Sequence, residues 1–170
     1  APGGSMTGST DATDVEGQID MLLKVVPSAK TVGIFYNSSE VNSEVQADQA
    51  KQALEAKGVK VEVATVTSTN DVQQTMTSLA AKVDAIYLPT DNTVASTAST
   101  IGEILQEAKV PAMGSDAAVI DATLFTYGVD YHAIGVQAGE LAVKILKGEK
   151  PADLPVQKPN TAAVTVNEEM

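Results

Sequence analysis

The stretch "VGIFYNSSEVNSE", residues Val32 to Glu44, decides the fold. Its apolar run from Val32 to Tyr36 reads as a strand buried on both faces, the kind that parallel sheets use. The run stops at Asn37-Ser38-Ser39. Helical spacing follows from Asn42 or Ser43 to Lys57, with Val45, Ala50, Ala53 and Leu54 inward and Gly58 as the stop. The same switch recurs at "AIYLPTDNTVAS" (Ala85–Ser96) and more weakly at "VPAMGSDAAV" (Val110–Val119). One polar strand end is a helix cap; three mark an edge.

Working outward, "APGGSMTGSTDATD" is irregular by its Gly, Ser and Thr content, and Asp11 or Thr13 is expected to cap a helix. That helix carries Val15, Ile19, Leu22, Leu23 and Val26 on one face and stops at Pro27. "VKVEVATV" (Val59–Val66) alternates and reads as a half-exposed edge strand. "NDVQQTMTSLAAK" (Asn70–Lys82) places Val72, Met76, Leu79 and Ala80 on one stripe. "DAIYLP" is a short buried strand. A helix over Asn92–Ala108, the strand "VPAMG", a helical turn after Asp116 and a fifth strand, "TLFTYGVD", complete the series. An amphipathic helix then runs through Ile134, Ala138, Leu141, Ile145 and Leu146. A proline-marked connector and a candidate final strand, "TAAVTV", end the chain. Regular alternation of strand and helix predicts an α/β fold: a doubly wound, parallel, five-stranded sheet in the order 2-1-3-4-5. Ligands of such sheets sit outside the carboxyl ends of the strands, where the polar clusters fall.

Those clusters have distinct chemistry. Asn37, Ser38, Ser39 and Asn42 offer hydroxyls, amides and backbone N–H groups at a helix start, which suits a carboxylate or another small anion. Thr90, Asp91, Asn92 and Thr93 add a carboxylate suited to an ammonium group. Ser115 with Asp116, and Asp130 after the fifth strand, are further acidic strand ends. A zwitterion would find both its charges met. Each cluster alone is explained by capping, so the functional reading rests on the convergence of four polar strand ends on one edge.

Composition excludes much else. A formal net charge of -11 over 170 residues argues against nucleic acid, whose phosphates call for Lys and Arg. The absence of cysteine excludes disulfides and thiolate metal sites and fits an exported bacterial protein. No apolar run approaches the roughly 20 residues of a membrane span. The sole histidine, His132, reads as an exposed first-turn residue, and no GxSxG, HExxH or P-loop is present. A receiver-type phosphoacceptor site would need acidic residues where Asn37 stands and a lysine where Asp130 stands. No catalytic residue, tightly held metal or cofactor is expected.

The segments "PGGSMTGSTDATDVEGQIDML", "VGIFYNSSEVNSEVQ", "DAIYLPTDNTVAS", "VPAMGSD" and "YGVDYHAIGVQAGELAVKILKGEKPADLPV" together resemble ABC-transporter substrate-binding proteins of the tryptophan/tyrosine uptake type. The resemblance implies one lobe of a type I periplasmic-binding-protein architecture. Residues 1–12 would be the hinge segment and 13–130 the C-terminal ligand-binding lobe. Residues 131–170 would be a returning helix, connector and terminal strand that pack on a missing N-terminal lobe. It further implies a truncated or proteolytic fragment. The function implied is capture of a small amino-acid-like ligand, aromatic by the resemblance, for an ABC permease. The location implied is extracytoplasmic, as a periplasmic protein or a cell-surface lipoprotein.

Ligand contact carries onto Asn37, Ser38, Ser39, Thr90, Asp91, Asn92, Ser115 and Asp116, with Asp130 and Ser9-Thr10-Asp11 as weaker candidates beside the hinge. Tyr36 and Tyr87 read as core. With two Phe, four Tyr and no Trp in the chain, an aromatic stacking partner for the ligand is expected mainly from the missing lobe. A homodimer through the 131–147 helix is a further expectation. The rival reading is the effector-binding domain of a LacI-type transcription regulator. A third, an enzyme of flavodoxin-like fold acting on sugars or nucleotides, lacks the phosphate loop and the strand-end histidine or cysteine it would use.

Overall fold

A computed structural model describes residues 4–159 and 162–170. The first three hinge residues, the last residue of the connector and Thr161 of "TAAVTV" lie outside the described residues. The elements run α1 (Val15–Val25), β1 (Thr31–Asn37), α2 (Val41–Ala56), β2 (Lys60–Val66), α3 (Val72–Ala80), β3 (Ala85–Leu88), α4 (Asn92–Ser96), α5 (Ala98–Ala108), β4 (Ala112–Gly114), β5 (Phe125–Val129), α6 (Tyr131–Leu146) and β6 (Ala162–Val166). Contacts divide the chain into a larger unit, 14–128 with 164–170, and a smaller one, 1–13 with 129–163.

In the larger unit the strand order is β2-β1-β3-β4-β5-β6. The pairings β1–β2, β1–β3, β3–β4 and β4–β5 are all parallel. The expected order of five strands therefore holds, with β6 added beside β5. Asn167 anchors the returning chain there, its backbone N–H donating to the Leu124 carbonyl (3.0 Å) and its amide to the Ile120 carbonyl (3.1 Å).

Alternation along β1 builds two cores. Val32, Ile34 and Tyr36 pack with α1 and α2 residues such as Ile19, Leu22, Ala50 and Leu54, while Phe35 faces Met76, Leu79, Ile101 and Leu105 of α3 and α5. Helices on both faces explain why β1 and β3 are continuous apolar runs, whereas β2, at the edge, has Val63 46% exposed.

Local departures from the sequence reading have local causes. The cap of α1 is Asp14, whose carboxylate accepts from the Gly17 N–H at 3.0 Å, rather than Asp11 or Thr13. The inward face of α2 is Ser43, Ala47, Ala50 and Leu54, leaving Val45 exposed. The helix expected over Asn92–Ala108 breaks at Thr97 (φ −119°, ψ 15°), whose hydroxyl bonds back to the Thr93 carbonyl at 2.8 Å. Such a local side-chain bond competes with helix continuation. The C-terminal stop of α2 is Gly58, at φ +77°, where a side chain would be strained.

In the smaller unit Ser9 bridges Gln157 in parallel, and the Thr10 N–H donates to the Gln157 carbonyl at 2.9 Å. Asp130 caps α6. Of the stripe expected to be buried on that helix, Leu141 is buried, but Ile145 is 37% and Leu146 86% exposed. Val136 and Val143 are also exposed.

Candidate functional site

The carboxyl edge of the sheet joins three strand ends by direct bonds. The Asn37 backbone N–H donates to Asp91 Oδ2 at 2.8 Å, while Asp91 Oδ1 caps α4 by accepting from the Val94 N–H at 2.9 Å. Asp91 is 3% exposed and locks the end of β1 to the start of α4. The Asn37 amide donates to Thr93 Oγ1 (2.8 Å), and its carbonyl accepts from the Ser39 N–H (2.8 Å), shaping the turn after β1. Thr90 is tied to α2, its carbonyl accepting from Asn42 Nδ2 and Ser43 Oγ, both at 2.9 Å. Its hydroxyl stands 2.9 Å from that of Ser115, which is fully buried at the end of β4. Gly128 of β5 permits the next strand to close up, since a Cβ there would sit 2.5 Å from the Ser115 carbonyl oxygen.

Asp116 caps the helical turn 117–122 by accepting from the Ala118 N–H at 2.7 Å. In the smaller unit Asp130 accepts from the His132 and Ala133 N–H groups at 2.9 and 3.1 Å. All three acidic strand ends thus cap helices. Ser38 and Ser39 are exposed, the Ser38 hydroxyl making only a long contact (3.5 Å) to the Val66 carbonyl. The β1 end therefore keeps hydroxyl donors free, while the β3 and β4 ends present chiefly oxygen acceptors.

Sequence reasoning missed Glu40. Its carboxylate accepts from the Asn92 N–H and side-chain amide (3.0 and 2.8 Å) and from the Thr93 N–H and hydroxyl (3.1 and 3.2 Å). It thereby clamps the loop after β1 onto the N-terminus of α4 and satisfies donors there. Partial burial raises its pKa, but the bonds from Asn92 and Thr93 outweigh this and leave it below the ordinary value. A carboxylate held below its unfolded pKa stabilises the fold above that value, and the contribution disappears as pH falls through the folded pKa. Glu40→Gln is therefore expected to lower stability at neutral pH and to shrink the loss seen in acid titrations below about pH 4.5. Urea unfolding at pH 7 and pH 3.5 measures both; an unchanged acid limb would contradict the clamp. Gln46 was also missed, although polar Ser43 and Gln46 interrupt the inner face of the first turns of α2, and that interruption was the available signal.

This arrangement, a doubly wound sheet with polar side chains gathered at its carboxyl edge, matches a lobe of the type I periplasmic-binding-protein class. The sequence profile of the ABC transporter substrate binding protein family matches residues 1–170, and the chain belongs to that family. Members bind solutes for ABC transporters and are not enzymes. A tyrosine-binding protein of Clostridioides difficile is 31% identical over 99% of the chain and 49% of its own length. A Streptococcus pneumoniae ABC domain in complex with L-Trp superposes with a TM-score of 0.86 at 38% identity, over 99% of this chain and 57% of that one. The ligand-free, open form of a Clostridium difficile substrate-binding protein with adhesive properties gives 0.81 at 39% identity, over 96% and 56%. The chain spans about half the length of the curated relatives it matches. A LacI-family regulator of Bifidobacterium animalis, at 12% identity and a TM-score of 0.69, shares the fold alone.

Proposed function

We propose that the chain is the C-terminal lobe, with the returning segment of its companion, of an extracytoplasmic binding protein that captures an aromatic amino acid for an ABC permease. The observation that carries this reading is the gathering of Asn37, Ser38, Ser39, Thr90, Asp91, Asn92 and Ser115 at one sheet edge, in a family whose relatives include one named for tyrosine and one holding L-Trp. Asp116 and Asp130 complete the proposed ligand set. The other lobe supplies the opposing wall and the aromatic contacts, and closure excludes water. Attachment to the membrane as a lipoprotein belongs to the same proposal.

The chain has no tryptophan, so tryptophan emission comes from the added L-Trp alone, and its change on binding is measured against the same ligand without protein. Saturable changes with L-Trp, competed by L-Tyr but not by L-arabinose, are expected. Competition by the sugar and not by L-Tyr would favour the effector-domain or sugar-binding reading.

The smaller unit supports the two-lobed reading. Its α6 is apolar on more than one face: Leu141 is buried, yet Val136, Val143 and Leu146 are exposed, and a Cβ on Gly135 or Gly139 would meet nothing within 4 Å. A helix apolar around most of its circumference is normally enclosed. We assign that enclosure to the N-terminal lobe and, in its absence, to a second copy of the chain. Sedimentation at micromolar concentration is expected to show a dimer that Leu146→Glu disperses; a monomer before the substitution would remove the homodimer from the account. Leu146 is chosen because it is 86% exposed, whereas a charge at the buried Leu141 would disrupt the unit itself.

A further inference from the structure

The loop Thr90–Thr93 after β3 has most of its polar groups committed within the fold. The Thr90 N–H donates to Gln46 Oε1 at 2.8 Å, and the Thr90 carbonyl accepts from Asn42 Nδ2 and Ser43 Oγ, both at 2.9 Å. Asp91, 3% exposed, accepts from the Asn37 N–H with one oxygen and from the Val94 N–H with the other. The Thr93 hydroxyl accepts from Asn37 Nδ2 and donates to Glu40 Oε1. The Thr90 hydroxyl, 2.9 Å from that of Ser115, can donate or accept and so discriminates nothing. Asn92 is different, because its direction is settled. Its backbone N–H and its side-chain Nδ2 both donate to Glu40 Oε2, at 3.0 and 2.8 Å. An ionised carboxylate only accepts, so the amide nitrogen must face Glu40 and Oδ1 must face away from it, on an exposed side chain. The same logic fixes Asn42: its Nδ2 donates to the Thr90 carbonyl, which cannot donate in return. Neither asparagine Oδ1 has a partner among the described residues.

We propose that Glu40 is a positioning residue that sets specificity: by holding Asn92 through its NH₂ group, it makes the loop after β3 present an amide oxygen, so that this part of the edge takes the ligand's ammonium and turns away a carboxylate. The Glu40 charge stands directly behind the Asn92 amide, and an acceptor backed by negative charge favours N–H donors that carry positive charge. Asn42 adds a second oxygen of the same polarity from the first turn of α2. Without Glu40, an asparagine amide is free to reverse and offer its NH₂ group instead. The choice of ligand group deepens the amino-acid-binding reading and rests on it. The orientation of Asn92 stands on the geometry alone.

Two measurements on the chain separate these claims. In NMR spectra the Asn92 side-chain NH₂ resonances are expected to move with the titration of the Glu40 carboxyl, and Glu40→Gln is expected to abolish that response. Resonances that ignore the titration in the natural chain, or that respond equally in Glu40→Gln, would overturn the orientation. In binding, L-tryptophan is expected to exceed indole-3-propionic acid, which lacks the ammonium, by at least about 30-fold in affinity, roughly 2 kcal/mol. Glu40→Gln is expected to reduce that ratio to below about 5-fold, and so is Asn92→Ala, which leaves the Glu40 carboxylate in place. Because Glu40 acts through Asn92, adding Glu40→Gln to Asn92→Ala should change the ratio by less than about 2-fold. A merely structural role would weaken both ligands together and leave the ratio alone. An unchanged ratio in Glu40→Gln or in Asn92→Ala, or equal binding of the two ligands by the natural chain, would refute the selectivity. Failure of the natural chain to bind either ligand would sink the amino-acid-binding reading and the ammonium selection with it, while the orientation of Asn92 is decided by the NMR result.

Discussion

Asp91→Ala is expected to lower unfolding stability by about 3–5 kcal/mol, since two hydrogen bonds to one charged group are lost and each is worth about 1.5–3 kcal/mol. The effect concentrates on one side chain because Asp91 serves two elements at once: Oδ2 holds the buried end of β1 through the Asn37 N–H, and Oδ1 caps α4 through the Val94 N–H. Alanine leaves the Asn37 N–H at a position only 7% exposed without its acceptor. Asn at 91 keeps one acceptor and turns an NH₂ toward a donor, so an intermediate loss is expected. The urea midpoint should fall with an unchanged slope. A loss under about 1 kcal/mol, the size expected of an ordinary cap, would mean that Asp91 caps α4 and does nothing more.

Phe35→Ala is the second large effect, about 3–5 kcal/mol, the usual cost of deleting a buried aromatic ring and leaving its cavity. Phe35 is fully buried against the α3 and α5 side of the sheet, among Met76, Leu79, Ile101 and Leu105, drawn from elements that cannot collapse together without moving. Val63→Ala on the edge strand is the matched control. Its residue is 46% exposed, and its loss should be within about 0.5 kcal/mol. Equal losses at the two positions would contradict the assignment of β1 to the interior and β2 to the edge, which the thermal or urea midpoints of the two variants decide directly.

The sheet was legible because burial on two faces writes itself into sequence as continuous apolar runs. Val32–Tyr36 and Ala85–Leu88 could be nothing else at that length, and Val59–Val66 gave its edge position through alternation. The helix faces were read less well where small residues carry the packing. Periodicity scored Val45 as inward by its hydrophobicity, yet Ser43 and Ala47 occupy the buried face of α2 with Ala50 and Leu54, and Val45 is 51% exposed. The break at Thr97 has no signal in apolar spacing, for it depends on a side-chain bond back to the Thr93 carbonyl.

The candidate site was legible as a set of strand ends, since polar residues after buried strands must lie at the edge. Its wiring was not. Glu40 and Gln46 act on partners more than 40 residues away in the chain, and Gln18 reaches Tyr87 across 69 positions. Nothing local in sequence marks a carboxylate that caps a helix belonging to another βα unit.

The central claim is that this sheet edge is half of a binding cleft for an aromatic amino acid. Titrating L-tryptophan into the isotopically labelled chain, and mapping the amide shifts by residue, tests it most directly. The account predicts saturable shifts gathered at Asn37, Ser38, Ser39, Thr90, Asp91, Asn92, Ser115 and Asp116, and at Asp130. Shifts gathered instead at the apolar groove of about 310 Å³ lined by Leu105, Val110, Pro111 and Leu124, or no shift at millimolar L-tryptophan, would contradict it.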